Sequence, residues 1–351
     1  LSWQEGPGIG GAVGPYRQSE RTDLYNAVCD RLLAAGLAYR CNASREDLDA
    51  LRESQRAAGK DPRYDRRNRD AQLGPDCGPH VVRIKLPVEG ATVVHDLIKG
   101  DIEISNEKLD DFIIRRTDGT FTYNFVVVVD DVEMGITHVI RGDDHVNNTP
   151  KQIHIYLAMG AAVPAFAHLP MILGQDGSRL SKRHGDTALG AYRDMGIPRE
   201  AMLNYLARLG WSHGDQEIFS QDELVSLFTL EAIGRSGARW DMDKLLSLSG
   251  TWLRRLDPAD LAARSRPFFD AAGVEVDDSR LAAALDSVQK RARTFVEIVA
   301  QSSFYFVEDS ALPQDEKARK KWLKAAAGPV LRDLSAALAA VSSWTAEALE
   351  A

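Results

Sequence analysis

Three cations, Arg179, Lys182 and Arg183, crowd into the segment GQDGSRLSKRHG (174–185) of a 351-residue chain whose formal net charge is −8. Glycines at 174, 177 and 185 free the backbone, and Ser178 and Ser181 add hydroxyls beside it. Such a loop has the ingredients to cradle a polyphosphate and to stabilise negative charge that grows in a transition state. The same composition also suits a solvated basic turn, because charge runs are usually solvated faces. GxxxxGK[ST] is absent, so this is not a Walker A loop. GPGIGG (6–11) is rich in glycine, but no strand pattern precedes it, which argues against a dinucleotide-binding turn.

A mobile cradle needs elements to carry it. THVI (137–140) is predicted as a short strand running into RGDDHVNNTP. Thr149 then caps a helix with Pro150 at its first position and Gly160 as its stop. HLPMIL (168–173) is predicted as the strand that delivers the chain into the basic loop. FVVVV (125–129), apolar and mostly β-branched, is predicted as a strand buried on both faces of a parallel sheet. Strand, polar loop, helix, strand, polar loop describes an open α/β sheet, where ligands bind beyond the carboxyl ends of the strands. The loops 141–149 and 174–185 are both placed on that edge.

Upstream, ERTDLYNAVCDRLLAAGL (20–37) has Leu24, Val28, Leu32 and Leu33 at helical spacing and Gly36 as a stop. Residues 39 to 80 are polar, and KDPRYDRRNRD (60–70) reads as a solvated insertion outside the core. VVRIKLP (81–87) and ATVVHDLIKGDIEI (91–104) are strand-like. Beyond 186 the pattern is helical over 187–195, 198–209, 221–229, 242–256, 258–272, 278–308 and 315–351.

The length fits two or three domains. With 44% hydrophobic and 27% charged residues, the composition is that of an ordinary soluble protein; no apolar run is long enough to span a membrane and no secretory leader opens the chain. Cys29, Cys41 and Cys77 are too few and too irregular for a disulfide framework, which points to a reducing, cytoplasmic setting. The acidic balance argues against a sequence-indifferent nucleic-acid coat and leaves room for a local basic surface. The chain opens on Leu1, and SSWTAEALEA begins a helix capped by Ser343 without a stop, so both ends read as cut.

RLSKR (179–183) resembles the mobile KMSKS loop of class I aminoacyl-tRNA synthetases. GPYRQSER (14–21), DPRYD (61–65), LDDFIIRRTDGTFTYNFVVVVDD (109–131), ITHVIRGDDHVNNTP (136–150) and WDMDKLLSLSG (240–250) are similar, in the same order, to the bacterial-type glutamyl-tRNA synthetase family. The resemblance implies a Rossmann-type class I catalytic domain, incomplete at its N-terminus, in residues 1–38 and 119–174. It implies an acceptor-end-binding α+β insertion at 39–118. All-α parts follow: the KMSKS-like loop and stem-contact region at 175–258, and an incomplete helical anticodon-binding subdomain at 259–351.

The implied reaction joins glutamate and ATP into glutamyl-adenylate and pyrophosphate, then moves the glutamyl group to the terminal adenosine of tRNA(Glu). Lys182 would be catalytic, contacting the phosphates. Arg179, Leu180, Ser181, Lys182, Arg183 and Asp144 would bind ATP, with magnesium implied by ATP chemistry. Arg179 stands where the family usually has lysine, and a planar guanidinium is not equivalent to an ammonium. Tyr123 and Arg141 would bind glutamate; without the resemblance they read as a core aromatic and a surface ion-pair partner. His168 sits before the strand that feeds the loop. Arg63, Arg66 and Arg67 in RYDRRNR would touch tRNA backbone, as would KARKKWLK (317–324), which equally reads as a solvated helix face.

Two departures matter. The HIGH element, and the arginine, serine and glutamate that complete the family's glutamate pocket, have no counterpart here, which implies that the chain as given is inactive or nearly so. Many relatives hold zinc in the insertion, whereas here Cys41 is followed by Ala43, Asn68 and Asp70, so no zinc is expected. A monomer is implied. A non-catalytic tRNA-binding protein derived from a synthetase is the alternative reading. The shorter paralogue that glutamylates a modified tRNA base is disfavoured by the helical residues 259–351.

Overall fold

Helix α1 (Thr22–Ala34) buries Tyr25, Val28, Cys29 and Leu32, the stripe expected of an amphipathic helix against a core. It stops where Gly36 adopts φ +70°, with the Gly36 and Leu37 N–H groups closing on Leu33 and Leu32 carbonyls. These elements belong to a computed structural model that describes residues 3–181, 183, 188–308, 312, 315–324, 326–342, 345 and 349. Two compact units result, Leu1–Ala188 with Met202–Met242, and Leu189–Ala201 with Asp243–Ala351.

In the first unit, β1 (Ala38–Cys41) leads into α2 (Arg45–Ala57), whose Ser44 and Asp47 form a capping box. Strands β2 (Val81–Ile84), β3 (Ala91–Asp96), β4 (Gly100–Ser105) and β5 (Ile113–Arg115) follow. Next come α3 (Tyr123–Glu133), β6 (His138–Gly142), α4 (Thr149–Met159) and β7 (Ala165–Leu169). One antiparallel sheet has the order β1-β2-β5; the other, mixed, has the order β4-β3-β7-β6. β7 runs parallel to both β3 and β6, while β3 and β4 form a hairpin. Strands β3 and β4, from the stretch read as an insertion, therefore share a sheet with β6 and β7.

FVVVV is not a strand. It lies wholly within α3, and Phe125, Val126, Val128 and Val129 are all buried. A short apolar run cannot by periodicity distinguish a buried strand from a helix enclosed on most sides. Tertiary partners decide it: Asp130, on the same helix, accepts from Arg21 Nε at 2.7 Å, the Tyr25 hydroxyl at 2.8 Å and Gln18 Nε2 at 3.0 Å. Only a helix holds that carboxylate towards α1 while its valines enter the shared core.

HLPMIL is displaced as well: β7 ends at Leu169, and Pro170, lacking an N–H, cannot extend the ladder. His168 therefore lies inside the strand, not before it. Thr149 is the first residue of α4, with helical φ and ψ, instead of its cap, and Gly160 ends the helix in the left-handed conformation.

KDPRYDRRNRD is not a solvated tract. Tyr64 is buried with its hydroxyl 3.1 Å from Cys41 Sγ, and the Arg83 guanidinium stacks over its ring at 3.7 Å. Arg66 and Arg69 face Asp111, which is wholly buried.

Helices α5 (Leu189–Asp194), α6 (Arg199–Arg208) and α7 (Gln221–Leu227) precede α8 (Met242–Arg255), α9 (Pro258–Ala271), α10 (Asp278–Gln289) and α11 (Phe295–Ser302). The predicted helix 278–308 breaks before Phe295, where the Thr294 side chain caps α11 by accepting from the Glu297 N–H. The core of the second unit gathers Leu253, Leu261, Phe269, Leu285, Val288, Phe295 and Ile298. Short helices α12 (Glu316–Trp322) and α13 (Ala327–Ala339) follow, and KARKKWLK lies largely on exposed α12, where Lys320 pairs with Glu316. Ser343 lies outside the described residues. No described helix is long and apolar enough to cross a membrane.

Candidate active site at the carboxyl edge of the parallel strands

Because β6 and β7 are parallel, their carboxyl ends open on one edge, and the short 3-10 turn Asp143–Asn148 and the residues after Leu169 both leave from it. Arg141, near the end of β6, is the best-held cation there. Its Nε donates to His168 Nε2 at 3.1 Å, and its Nη2 donates to Gln152 Oε1 at 2.8 Å and Thr149 Oγ1 at 2.9 Å. Gln152 is fixed in turn by donating to Asn124 Oδ1 at 3.0 Å. The edge of the guanidinium formed by Nε and Nη2 is thus occupied by the protein. Tyr123, in the first turn of α3, is close enough to favour the charged guanidinium electrostatically and is about half exposed at 48%. Its ring lies 5.7 Å from that of His145.

Burial lowers the affinity of Arg141 for its proton, against the opposing pull of Tyr123. His168 is fully buried, and desolvation holds its imidazole below the ordinary histidine value although Asp96 pulls the other way. Burial would raise Asp96, but bonds from the Lys99 N–H, the His168 ring, and the Ile98 and His168 N–H groups outweigh it and leave the carboxyl low. Asp131 is raised by burial, with Asp130 adding to the effect and the Tyr156 hydroxyl opposing it.

In the described part of the basic loop, Gly174 to Ser178 form a turn, and two of the loop's cations meet the protein's own carboxylates. Gly174 donates to the Ser178 carbonyl, Gly177 takes φ +77°, and Asp176 accepts from the Ser178 N–H and hydroxyl. Arg179 reaches Asp144 across the edge at 3.2 Å, and Arg183 reaches Asp176 at 3.6 Å. Leu180 donates its N–H to the Ile172 carbonyl. Ser181 follows, exposed; Lys182 lies outside the described residues.

The three arginines of RYDRRNR expected to touch tRNA turn to protein partners. Arg63 donates to the Glu107 carbonyl at 2.6 Å, Arg66 (φ +60°) to the Leu109 carbonyl at 2.7 Å, and Arg67 to Asp65 at 3.0 Å. Between this stretch and α3 lies a cavity of about 550 Å³ whose lining includes Arg52, Arg63, Arg83, Arg116, Lys151 and Tyr123.

Asp96, Thr149 and Gln152 were not singled out as site residues from sequence. Thr149 and Gln152 stand three apart at the start of a helix, a spacing that places both on one face. Asp96 carried no local signal. Among the described residues no three metal-capable side chains converge.

The family described as "tRNA synthetases class I (E and Q), catalytic domain" matches residues 2–247, and "Anticodon binding domain" matches residues 260–351. A glutamate–tRNA ligase of Syntrophobacter fumaroxidans is 48% identical over all of this chain and 73% of the relative, and one of Geobacter sulfurreducens is 49% identical over the same shares. The crystal structure of a glutamate tRNA ligase from Elizabethkingia meningosepticum, in complex with its amino acid, superposes with a TM-score of 0.85 at 31% identity, covering 99% of this chain and 75% of that one.

Proposed function

Because the chain belongs to the class I tRNA synthetases, within the glutamate–tRNA ligases, we propose that its carboxyl-edge site binds glutamate and ATP, the substrates from which the family forms glutamyl-adenylate. The glutamyl group then passes to the 3′-terminal adenosine of tRNA(Glu). The observation that carries this reading is Arg141 near the end of β6, held by His168, Thr149 and Gln152 so that one face of its guanidinium is left for a ligand. With Nε and Nη2 engaged, Arg141 meets a substrate carboxylate end-on, through Nη1, and Tyr123 reads the same ligand beside it.

Arg179, Leu180, Ser181, Lys182 and Arg183, with Asp144, hold ATP, and Lys182 contacts the phosphates while charge moves. The pairs Arg179–Asp144 and Arg183–Asp176 involve largely exposed arginines, so exchanging those carboxylates for a triphosphate loses little. Catalysis is then positioning and charge stabilisation, with no side chain required as general base. ATP enters as its magnesium complex, and the ion arrives with the substrate. Residues 39–118 meet the acceptor end through Arg63, Arg66 and Arg67, residues 175–258 the stem, and residues 259–351 the anticodon side. The protein works as a cytoplasmic monomer.

Glutamate is titrated into the chain and followed by saturation-transfer NMR. The expected result is a glutamate signal that glutamine does not reproduce and that Arg141→Ala abolishes. Equal response to both amino acids, or none lost in Arg141→Ala, overturns the assignment.

A further inference from the structure

Among the described residues, no carboxylate forms an ion pair with Arg141. Its Nε donates to a neutral ring: His168, directly across the β6–β7 register, places Nε2 3.1 Å away. A guanidinium nitrogen can only donate, so Nε2 must present a lone pair. The ring proton therefore sits on Nδ1, which donates to Asp96 Oδ2 at 2.5 Å. Asp96 is itself immobilised by the N–H groups of Ile98 at 3.0 Å, Lys99 at 2.8 Å and His168 at 3.1 Å. The order carboxylate, imidazole, guanidinium is thus directional, and the side chains of Asp96 and His168 are both fully buried.

We propose that Asp96 and His168 are a positioning pair: Asp96 selects the Nδ1–H tautomer, and the lone pair so exposed aims Arg141 at the substrate carboxylate. The inference rests on the reading of Arg141 above. Orientation of a functional group by a second group that sets an imidazole tautomer is a general device. Around His168 stand Asp96 at the end of β3, Lys99 in the following turn, Arg141 on β6 and Thr149 on α4. A proton added to Nε2 would set two donors and two positive charges against each other at Arg141. The pair works only while the ring is neutral.

The test labels histidine and arginine side-chain nitrogens with ¹⁵N in the full chain and adds glutamate titrations. In the unmodified protein, Nδ1 is expected to be protonated and Nε2 lone-paired, with a protected Arg141 Nε–H. His168→Leu is expected to lose that protection and weaken glutamate about tenfold, the scale of one charge-assisted hydrogen bond. His168→Gln, whose amide oxygen can stand near the Nε2 position, is expected to restore most of both. Asp96→Asn, nearly isosteric, donates to Nδ1 and should invert the tautomer; it serves where His168→Leu fails to fold.

A protonated Nε2 in the unmodified protein overturns the pair outright. Glutamate binding that falls in Arg141→Ala but stays unchanged in both Asp96→Asn and His168→Leu also refutes it. Binding unchanged in Arg141→Ala refutes the pocket reading alone. The pair is then judged on the tautomer and on Nε–H protection, which must still be lost in His168→Leu and regained in His168→Gln.

Discussion

Replacing Asp111 with alanine should open the antiparallel sheet β1-β2-β5. The carboxylate is wholly buried, and Arg69 Nη1 lies 2.7 Å from both of its oxygens. It also accepts from the Tyr39 hydroxyl at 3.0 Å and the Leu86 N–H at 2.9 Å, with Arg66 Nε a further 3.6 Å away. Removing one partner of a buried ion pair costs about 3–5 kcal/mol, because the other charge is left stranded. The orphaned hydroxyl and N–H would each cost about 1–3 kcal/mol in isolation, but neighbouring losses are not additive. Arg69 keeps 20% of its side chain in water, which softens the penalty. The expected loss is therefore near the lower figure, about 3 kcal/mol.

Native-state hydrogen exchange at the Val82 and Ile84 amides reads this opening directly, and about 3 kcal/mol is over a hundredfold in protection. A companion cycle with Arg69→Met and Asp111→Leu should lose much less together than the sum of the single changes. A drop below tenfold in Asp111→Ala would refute the claim that this cluster holds RYDRRNR to the sheet.

Folding stability should fall on acidification. Burial keeps both His168 and His154 neutral in the folded chain, while the unfolded rings take up protons near pH 6.5. The unfolded state then binds more protons, so their contribution is full above about pH 6.5 and is lost as pH falls below it; urea midpoints from pH 8 to 5 should show the slope, shallower in His168→Gln. In the second unit, a Cβ at Gly196 (φ +80°) would meet the Val296 and Phe295 nitrogens at 2.7 and 2.9 Å, whereas one at Gly273 (φ +69°) meets nothing. Gly273→Ala should cost about 1–2 kcal/mol from the left-handed backbone alone, and Gly196→Ala distinctly more by thermal melting; equal losses would remove the steric argument. Arg67→Ala should flatten the log–log salt dependence of tRNA binding by about 0.9 if that side chain meets a phosphate, and an unchanged slope takes it out of the interface.

What could be read in advance follows from how far each signal travels. Helix α1 announced itself because its core contacts repeat every third or fourth residue and Gly36 terminates it locally. Arg141 was legible as a strand-end cation. The FVVVV run misled because propensity and alternation report only that a segment is apolar. The choice of helix was made by Asp130, whose partners Arg21 and Tyr25 lie more than a hundred residues away. The charged stretch 63–69 misled for a related reason: an arginine looks solvated until the buried carboxylate that receives it is known, and Asp111 lies 42 positions beyond Arg69.

The same logic explains why Asp96 escaped notice. Locally it is a turn former, accepting from Ile98 and Lys99 N–H groups, and that role is sufficient to account for it. Its second role appears only when the sheet brings His168 to it from 72 residues away, and then depends on which imidazole nitrogen holds the proton. A pattern of residue types records who could donate or accept. It does not record direction, and at this site direction decides whether Arg141 is held or repelled.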